Sequence, residues 1–203
     1  MEERQEERQE GVGSCHHHKR ETCYISFMTV VLLVDEYGNQ TGTADLLAAH
    51  TGAGLLHRAF SVYIFRSRGE ELLLQHRAEG KRLFKGLWTN TCCSHPLPEE
   101  SAEHAGMRRL QEEMGFSCPL QKAGSFVYRA EDPKGHGIEY EYDTVLIGMV
   151  DDADVHPDPA EVSDWKWMHI DDLTEELEQR SNLFTPWFAR GLSLAQESLC
   201  THA

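Results

Sequence analysis

Apolar positions from residue 28 onward come in short runs broken by turn residues, a pattern of strands joined by tight connections with a few helices between them. "MTVVLLVDEYGNQTG" reads as a strand, a turn around Gly38-Asn39 and the start of a second strand, and "ADLLAAH" allows a short helix. "HRAFSVYIF" (57–65), the "RSRGE" turn and "ELLLQHR" (71–77) predict a β-hairpin of mixed burial, and "GLWTNTCC" adds another extended segment. The clearest helix spans 101–114, with Ser101 as N-cap and Gly115 as the residue that ends it. Its Arg108–Glu112 and Arg109–Glu113 spacings are i,i+4 pairs. "GSFVYRA" and "IEYEYDTVLIGMV" predict two further strands, followed by helices near 170–180 and 185–198. Strands and helices in this order imply an α+β fold, a mixed sheet packed by helices.

Alternation within the strands sorts the reactive residues by face. In "TNTCCSHP" the adjacent Cys92 and Cys93 point to opposite sides, one toward the interior and one toward a cleft, and Cys93 shares its parity with His95. In "IEYEYDT" the carboxylates of Glu139, Glu141 and Asp143 share one face and Tyr140 and Tyr142 the other. Taken alone, that row fits a solvated strand face with the tyrosines inside; the alternative is a row of acids held by a cation. His50 and His57 bracket "TGAGLL", whose glycines interrupt a helix, so a shared target would be reached through tertiary folding. With His95 they offer three imidazoles which, added to two carboxylates, form an N/O donor set suited to Zn²⁺, Mn²⁺ or Mg²⁺.

Bulk properties narrow the function classes. A chain of 203 residues, 40% of them hydrophobic, is long enough for one sizeable core. Its 34 acidic against 19 basic residues, a net charge of −15, argue against a nucleic-acid or anionic-membrane surface, and an anionic substrate would need local cations or a metal. The six cysteines contain no C-x-x-C pair and read as reduced thiols of a cytosol-like compartment; the longest apolar runs are strand-sized and too short to span a bilayer. Residues 1–26 are charged and poor in apolar positions, which predicts a flexible acidic extension ahead of a single domain over 27–203. The "CHHH" cluster at 15–18 lies in that extension, where nothing would orient its ligands, and the acids at the start do not fit a transit peptide.

"SHPLPEESAEHAGMRRLQEEMGF" (94–116) nearly matches the Nudix signature G-x5-E-x7-R-E-U-x-E-E-x-G-U, with Ser94 for the first Gly and Arg109 for the first Glu of "REU". A salt-bridged amphipathic helix would explain the charges but not the length and both flanks together. "AAHTGAGLLHRAFSVYIF", "LLLQHRAEGKRLFKGLWTNTCCSHP", this helix, "YRAEDPKGHGIEYEYD" and "FTPWF" follow one another over residues 28 to 190. In this the chain resembles type 1 isopentenyl diphosphate Δ-isomerases, which have a Nudix-like fold.

The resemblance implies a metal held by His50, His57, His95, Glu139 and Glu141, and a Mg²⁺ gripping the diphosphate through Glu113 and the carbonyl of Cys93. It implies Arg77 and Lys81 as diphosphate contacts, Cys93, Glu141 and Tyr128 as proton-transfer residues, and Trp187 at the cleft. Isopentenyl diphosphate must gain a proton at C4 and lose one at C2. Glu141 with Tyr128 is the expected acid, Cys93 as thiolate the expected base, its pKa tuned by nearby cations, with the π face of Trp187 worth about 0.5–2 kcal/mol to the developing charge. Leu46 stands where several bacterial relatives carry a Lys. The expected protein is a cytoplasmic monomer acting on small allylic and homoallylic diphosphates. Its rivals are a Nudix pyrophosphohydrolase of nucleoside polyphosphates, disfavoured by Arg109, and a metal-stabilised binding domain without catalysis.

Overall fold

The computed structural model describes residues 30–202; the acidic leading segment and its cluster at 15–18 lie outside the described residues. β1 (Val30–Val34) and β2 (Gln40–Asp45) form an antiparallel hairpin whose turn is tied by Asp35, which accepts hydrogen bonds from the backbone of Tyr37 and Asn39 at 2.9 Å each. Gly38 takes φ +84° there, a conformation most side chains avoid. Asp45 then caps the single turn of α1 (Leu46–Ala49).

The central strand is β3 (His57–Arg66). It forms a hairpin with β4 (Glu71–Arg77) only at the closed end, through Phe65↔Leu72 and Arg66↔Glu71. The expected β3–β4 ladder is therefore mostly replaced. β3 pairs instead with β6 (Cys92–Ser94) and, in parallel over nine positions, with β8 (Ile138–Met149). β8 in turn pairs antiparallel with β7 (Gln121–Glu131), while β4 pairs with β5 (Trp88–Thr89) and with β9 (Val162–His169). The extended segment expected over 86–93 breaks at Asn90-Thr91, whose side chains replace the ladder. Asn90 Nδ2 donates to the carbonyls of Cys92 and Val62, and Thr91 Oγ1 donates to Leu73 and accepts from Ile64.

Helices cover both faces of this sheet. Phe60, Val62 and Ile64 of β3 pack with Ala105, Leu110 and Met114 of α2 (Ala102–Met114), whose ends carry the expected Ser101 cap and a left-handed Gly115. The alternate residues Tyr63 and Phe65 pack on the opposite face with Leu173 of α3 (Ile170–Arg180) and Phe188, Leu192 and Ala195 of α4 (Phe188–His202). β3 is buried on both sides, so its sequence is apolar almost without alternation. Each fully buried Leu or Phe contributes about 1.5–3 kcal/mol, which anchors the strands whose leading ends carry polar groups.

Candidate active site

Register brings the candidate residues together. The parallel β3–β8 ladder sets His57 opposite Glu141, the antiparallel β7–β8 ladder sets Tyr128 opposite that same Glu141, and β6 sets Cys93 opposite Ser61. Odd-numbered positions of β8 share one face: Glu139, Glu141 and Asp143 at its leading end, Val145 and Ile147 farther along in the core. All three carboxylates are buried while Tyr140 and Tyr142 are only partly so, which inverts the solvated-face reading of this strand. The side chains surround a cleft open to solvent, whose inner space is about 190 Å³. His50, His95, Glu139, Glu141, Tyr128, Cys93, Arg77, Lys81 and Trp187 line it, joined by Leu46, Arg82 and Arg109.

His50, His57, His95 and Glu141 place one ligand atom each within 4.8 Å of the others. His57 Nε2 lies 3.1 Å from His95 Nε2 and 3.5 Å from Glu141 Oε1, which is 3.0 Å from His95 Nε2. Ligands about 2.1 Å from a common ion stand about 3.0 to 3.4 Å apart at octahedral to tetrahedral angles, so these separations fit a divalent cation. The ring tautomers fit as well. Nδ1 of His50 donates to the Ile138 carbonyl at 2.9 Å and Nδ1 of His57 to the Leu55 carbonyl at 2.7 Å, which leaves each Nε2 with a bare lone pair. Glu139 stands outside this quartet. Its Oε2 lies 3.1 Å from His50 Nδ1, but that N–H already serves Ile138, so the buried oxygen is left without a hydrogen bond. Burial and the neighbouring Glu141 push the Glu139 carboxyl up, whereas Glu141, despite burial, is held well below the usual range by His57 and His95.

Cys92 is fully buried against the α2 face, and Cys93 opens to the cavity, as strand parity requires. The expected thiolate is not what these surroundings favour. Burial pushes the Cys93 thiol up to about 11, outweighing the lowering by Arg77 and Lys81. Across the cavity Tyr128 donates its hydroxyl to Glu141 Oε2 at 2.5 Å. Trp187 is fixed by its Nε1 bond to Asn90 Oδ1 at 3.1 Å and stands 5.5 Å from Tyr128 and edge-on to Phe84 at 5.4 Å, centroid to centroid.

Two expected anion-handling residues are engaged elsewhere. Arg77 donates through Nε and Nη2 to the carbonyls of Leu83 and Phe84 and through Nη1 to Cys93 Sγ at 3.4 Å. Most of its fork therefore braces the 81–86 loop. Glu113 is completely buried and absent from the cavity wall, because Arg109 takes its Oε1 at 2.6 Å and Lys81 its Oε2 at 3.4 Å.

Sequence reasoning gave no role to several groups that complete the site. Asp143 accepts from Ser61 Oγ at 2.8 Å and keeps Oδ1 unpaired; burial and then Glu141 raise it to about 8. Asp132 accepts from Phe84 N at 2.6 Å and Lys134 N at 2.7 Å, tying the 81–86 loop to the β7–β8 turn. Glu161 reaches Lys81 and Arg109 from the turn before β9. The "YRAEDPKG" match contained Asp132, but nothing local in the sequence marks the Glu161 contacts.

Known proteins resemble this chain at two levels. A family profile described as NUDIX domain matches residues 55–188. "Isopentenyl-diphosphate Delta-isomerase 2" of Aromatoleum aromaticum is 47% identical over 159 residues, 78% of this chain and 82% of that protein. "Isopentenyl-diphosphate Delta-isomerase" of Nocardia farcinica is 45% identical over 165 residues, 81% and 93% of the two chains. Among solved structures, a MutT protein from Methanosarcina mazei superposes with a TM-score of 0.54 at 21% identity, covering 72% of this chain and 95% of that one. The NUDIX domain of Shewanella oneidensis NrtR, complexed with ADP ribose, gives 0.54 at 19% identity, covering 71% and 87%. The structural likenesses establish the fold.

Proposed function

The chain belongs to the NUDIX-domain proteins and, among them, to the isopentenyl-diphosphate Delta-isomerases, and from that premise we propose that its cavity converts isopentenyl diphosphate into dimethylallyl diphosphate. The observation that carries the chemistry is the pairing of a thiol, Cys93, and a carboxylate, Glu141, on the wall of one cavity. Transposing the double bond requires one proton delivered at C4 and one removed at C2, so the site must hold one donor and one acceptor. The ionisation supported by the surroundings makes Cys93 the donor and Glu141 the acceptor, the reverse of the order expected from the sequence. Tyr128 orients the Glu141 carboxylate, and Trp187 on the cavity wall supplies an aromatic surface for the carbocation-like centre at C3.

His50, His57, His95 and Glu141, with Glu139 as the next carboxylate, would hold Mn²⁺, Zn²⁺ or Mg²⁺, which when bound supplies positive charge that keeps Glu141 ionised and oriented. Mg²⁺ enters with the diphosphate as part of the substrate; Lys81 and Arg77 favour that anion, and Glu113, to serve as the carboxylate of its Mg²⁺, must first release Lys81 or Arg109. On α2, Glu113 is held between Arg109 and Lys81 and the exposed Glu112 pairs with Arg108 and Arg109, so each of the two carboxylates already has cationic partners. We further assign residues 27–203 as the catalytic unit, with 1–26 dispensable, and describe the protein as a cytoplasmic monomer. Among the described residues no helix is long and apolar enough to cross a membrane, and Cys92, Cys93, Cys118 and Cys200 are free thiols.

Incubation with isopentenyl diphosphate and Mg²⁺ tests the reading. Accumulation of dimethylallyl diphosphate without release of phosphate supports it, and release of phosphate without isomer would sink it.

A further inference from the structure

Four cations line the cavity, and their partners differ. Arg77 is consumed by backbone carbonyls and Cys93 Sγ. Exposed Arg82 makes no hydrogen bond or ion pair among the described residues. Lys81 and Arg109 are clamped together between two carboxylates. From the buried side, Glu113 gives Oε1 to Arg109 at 2.6 Å and Oε2 to Lys81 at 3.4 Å. From the other side, Glu161 repeats the arrangement, with Oε1 on Arg109 at 3.0 Å and Oε2 on Lys81. The group of four is electrically neutral, although two of its members face a cavity read as a diphosphate site.

The two carboxylates are not equivalent. The Glu113 side chain has no exposure, and Gln75 packs on it as well. That of Glu161 is 28% exposed, so water can replace what it leaves. Its backbone is pinned: the Glu161 carbonyl accepts from Ala78 N at 3.0 Å, and its N–H donates to the Asp158 carbonyl at 3.0 Å. Only the side chain is free to swing. One carboxylate whose two oxygens each take a different cation has the bridging geometry that a phosphate group also offers.

Resting on the diphosphate reading of the cavity, we propose that Glu161 occupies the cationic seat of the diphosphate before substrate arrives, and that binding is an exchange in which the diphosphate displaces the Glu161 side chain from Lys81 and Arg109. Glu161 is then a specificity residue. A diphosphate, carrying several negative charges, outcompetes a single carboxylate, whereas a monophosphate or a carboxylic acid gains far less from the exchange. The same side chain keeps two cations paired that would otherwise repel each other beside the cavity.

The test compares wild type with Glu161→Gln and Glu161→Asp, using titration calorimetry with inorganic pyrophosphate and with inorganic phosphate, both in excess Mg²⁺, beside KM for isopentenyl diphosphate. Removing the competing charge is expected to tighten pyrophosphate binding about three- to tenfold in Glu161→Gln, the scale of one or two partly exposed ion pairs. Glu161→Asp, too short to bridge both cations, should gain less; phosphate should gain less than pyrophosphate, and KM should fall with the pyrophosphate Kd. Equal or weaker pyrophosphate binding in whichever variant folds overturns the proposal, as does a rise in the Mg²⁺ requirement, which would make Glu161 a metal ligand. Calorimetry needs no turnover. A wild type that binds pyrophosphate but forms no isomer would refute the isomerase reading while leaving the exchange standing, and an active enzyme with unchanged pyrophosphate affinity in the variants would do the opposite.

Discussion

The Cys93 thiol is expected to remain protonated far into alkaline pH. Burial raises it to about 11, while Glu141 is held well below 4.5 by His57 and His95. The two groups share one proton during catalysis, and these opposite shifts favour thiol facing carboxylate over the swapped form, thiolate facing carboxylic acid. Each ~1.4 kcal/mol by which the swapped form is disfavoured cuts its share about tenfold and lowers by the same amount the barrier it must meet for a given turnover. The thiol, which holds the proton in the favoured form, is therefore the donor in our reading. Thiolate absorbance in the ultraviolet, titrated from about pH 7 to about pH 12 in wild type and Cys93→Ala with metal first removed and then restored, isolates the Cys93 signal. The difference should be absent near neutrality and rise only toward alkaline pH. A Cys93 thiolate already formed near neutral pH would refute the reasoning and restore the thiolate as base.

Three further outcomes follow from the same geometry. Cys93→Ser should lose about 10²- to 10⁴-fold in turnover with pyrophosphate binding retained, whereas Cys92→Ser should lose about 1–3 kcal/mol of stability, read as a lowered thermal midpoint, with turnover per folded molecule kept. His57→Ala should lower the bound metal measured by elemental analysis while circular dichroism stays native; a fully metallated, active variant would count against the ligand set. Deletion of residues 1–26 should leave kcat and the thermal midpoint close to those of the full chain, and loss of most activity would bring that segment into the site.

Local alternation made the contents of the site readable but not its state. Opposite burial of Cys92 and Cys93, the shared face of Glu139, Glu141 and Asp143, and the Ser101-to-Gly115 helix all depend on periods of two or 3.6 residues, which any stretch of sequence displays. The parallel β3–β8 register that sets His57 against Glu141 joins residues 84 positions apart, and only the family resemblance anticipated its result. β9 went unseen because its residues after the buried Val162 are half-buried or exposed and lack an apolar run; its ladder with β4 makes it a strand. The protonation of Cys93, the engagement of Arg77 by Leu83 and Phe84, and the sealing of Glu113 are products of tertiary burial and of partners distant in sequence. A list of charged residues carries none of that information.

The central claim is tested most directly by running the reaction in D₂O with isopentenyl diphosphate, the metal-loaded enzyme and Mg²⁺, and following the products by proton and deuterium NMR. The account predicts dimethylallyl diphosphate with deuterium in the methyl group derived from C4, exchange at C2 as the reaction reverses, and neither outcome in Cys93→Ala or Glu141→Gln. Inorganic phosphate as the only product, or deuterated product formed undiminished without Cys93 and Glu141, would contradict it.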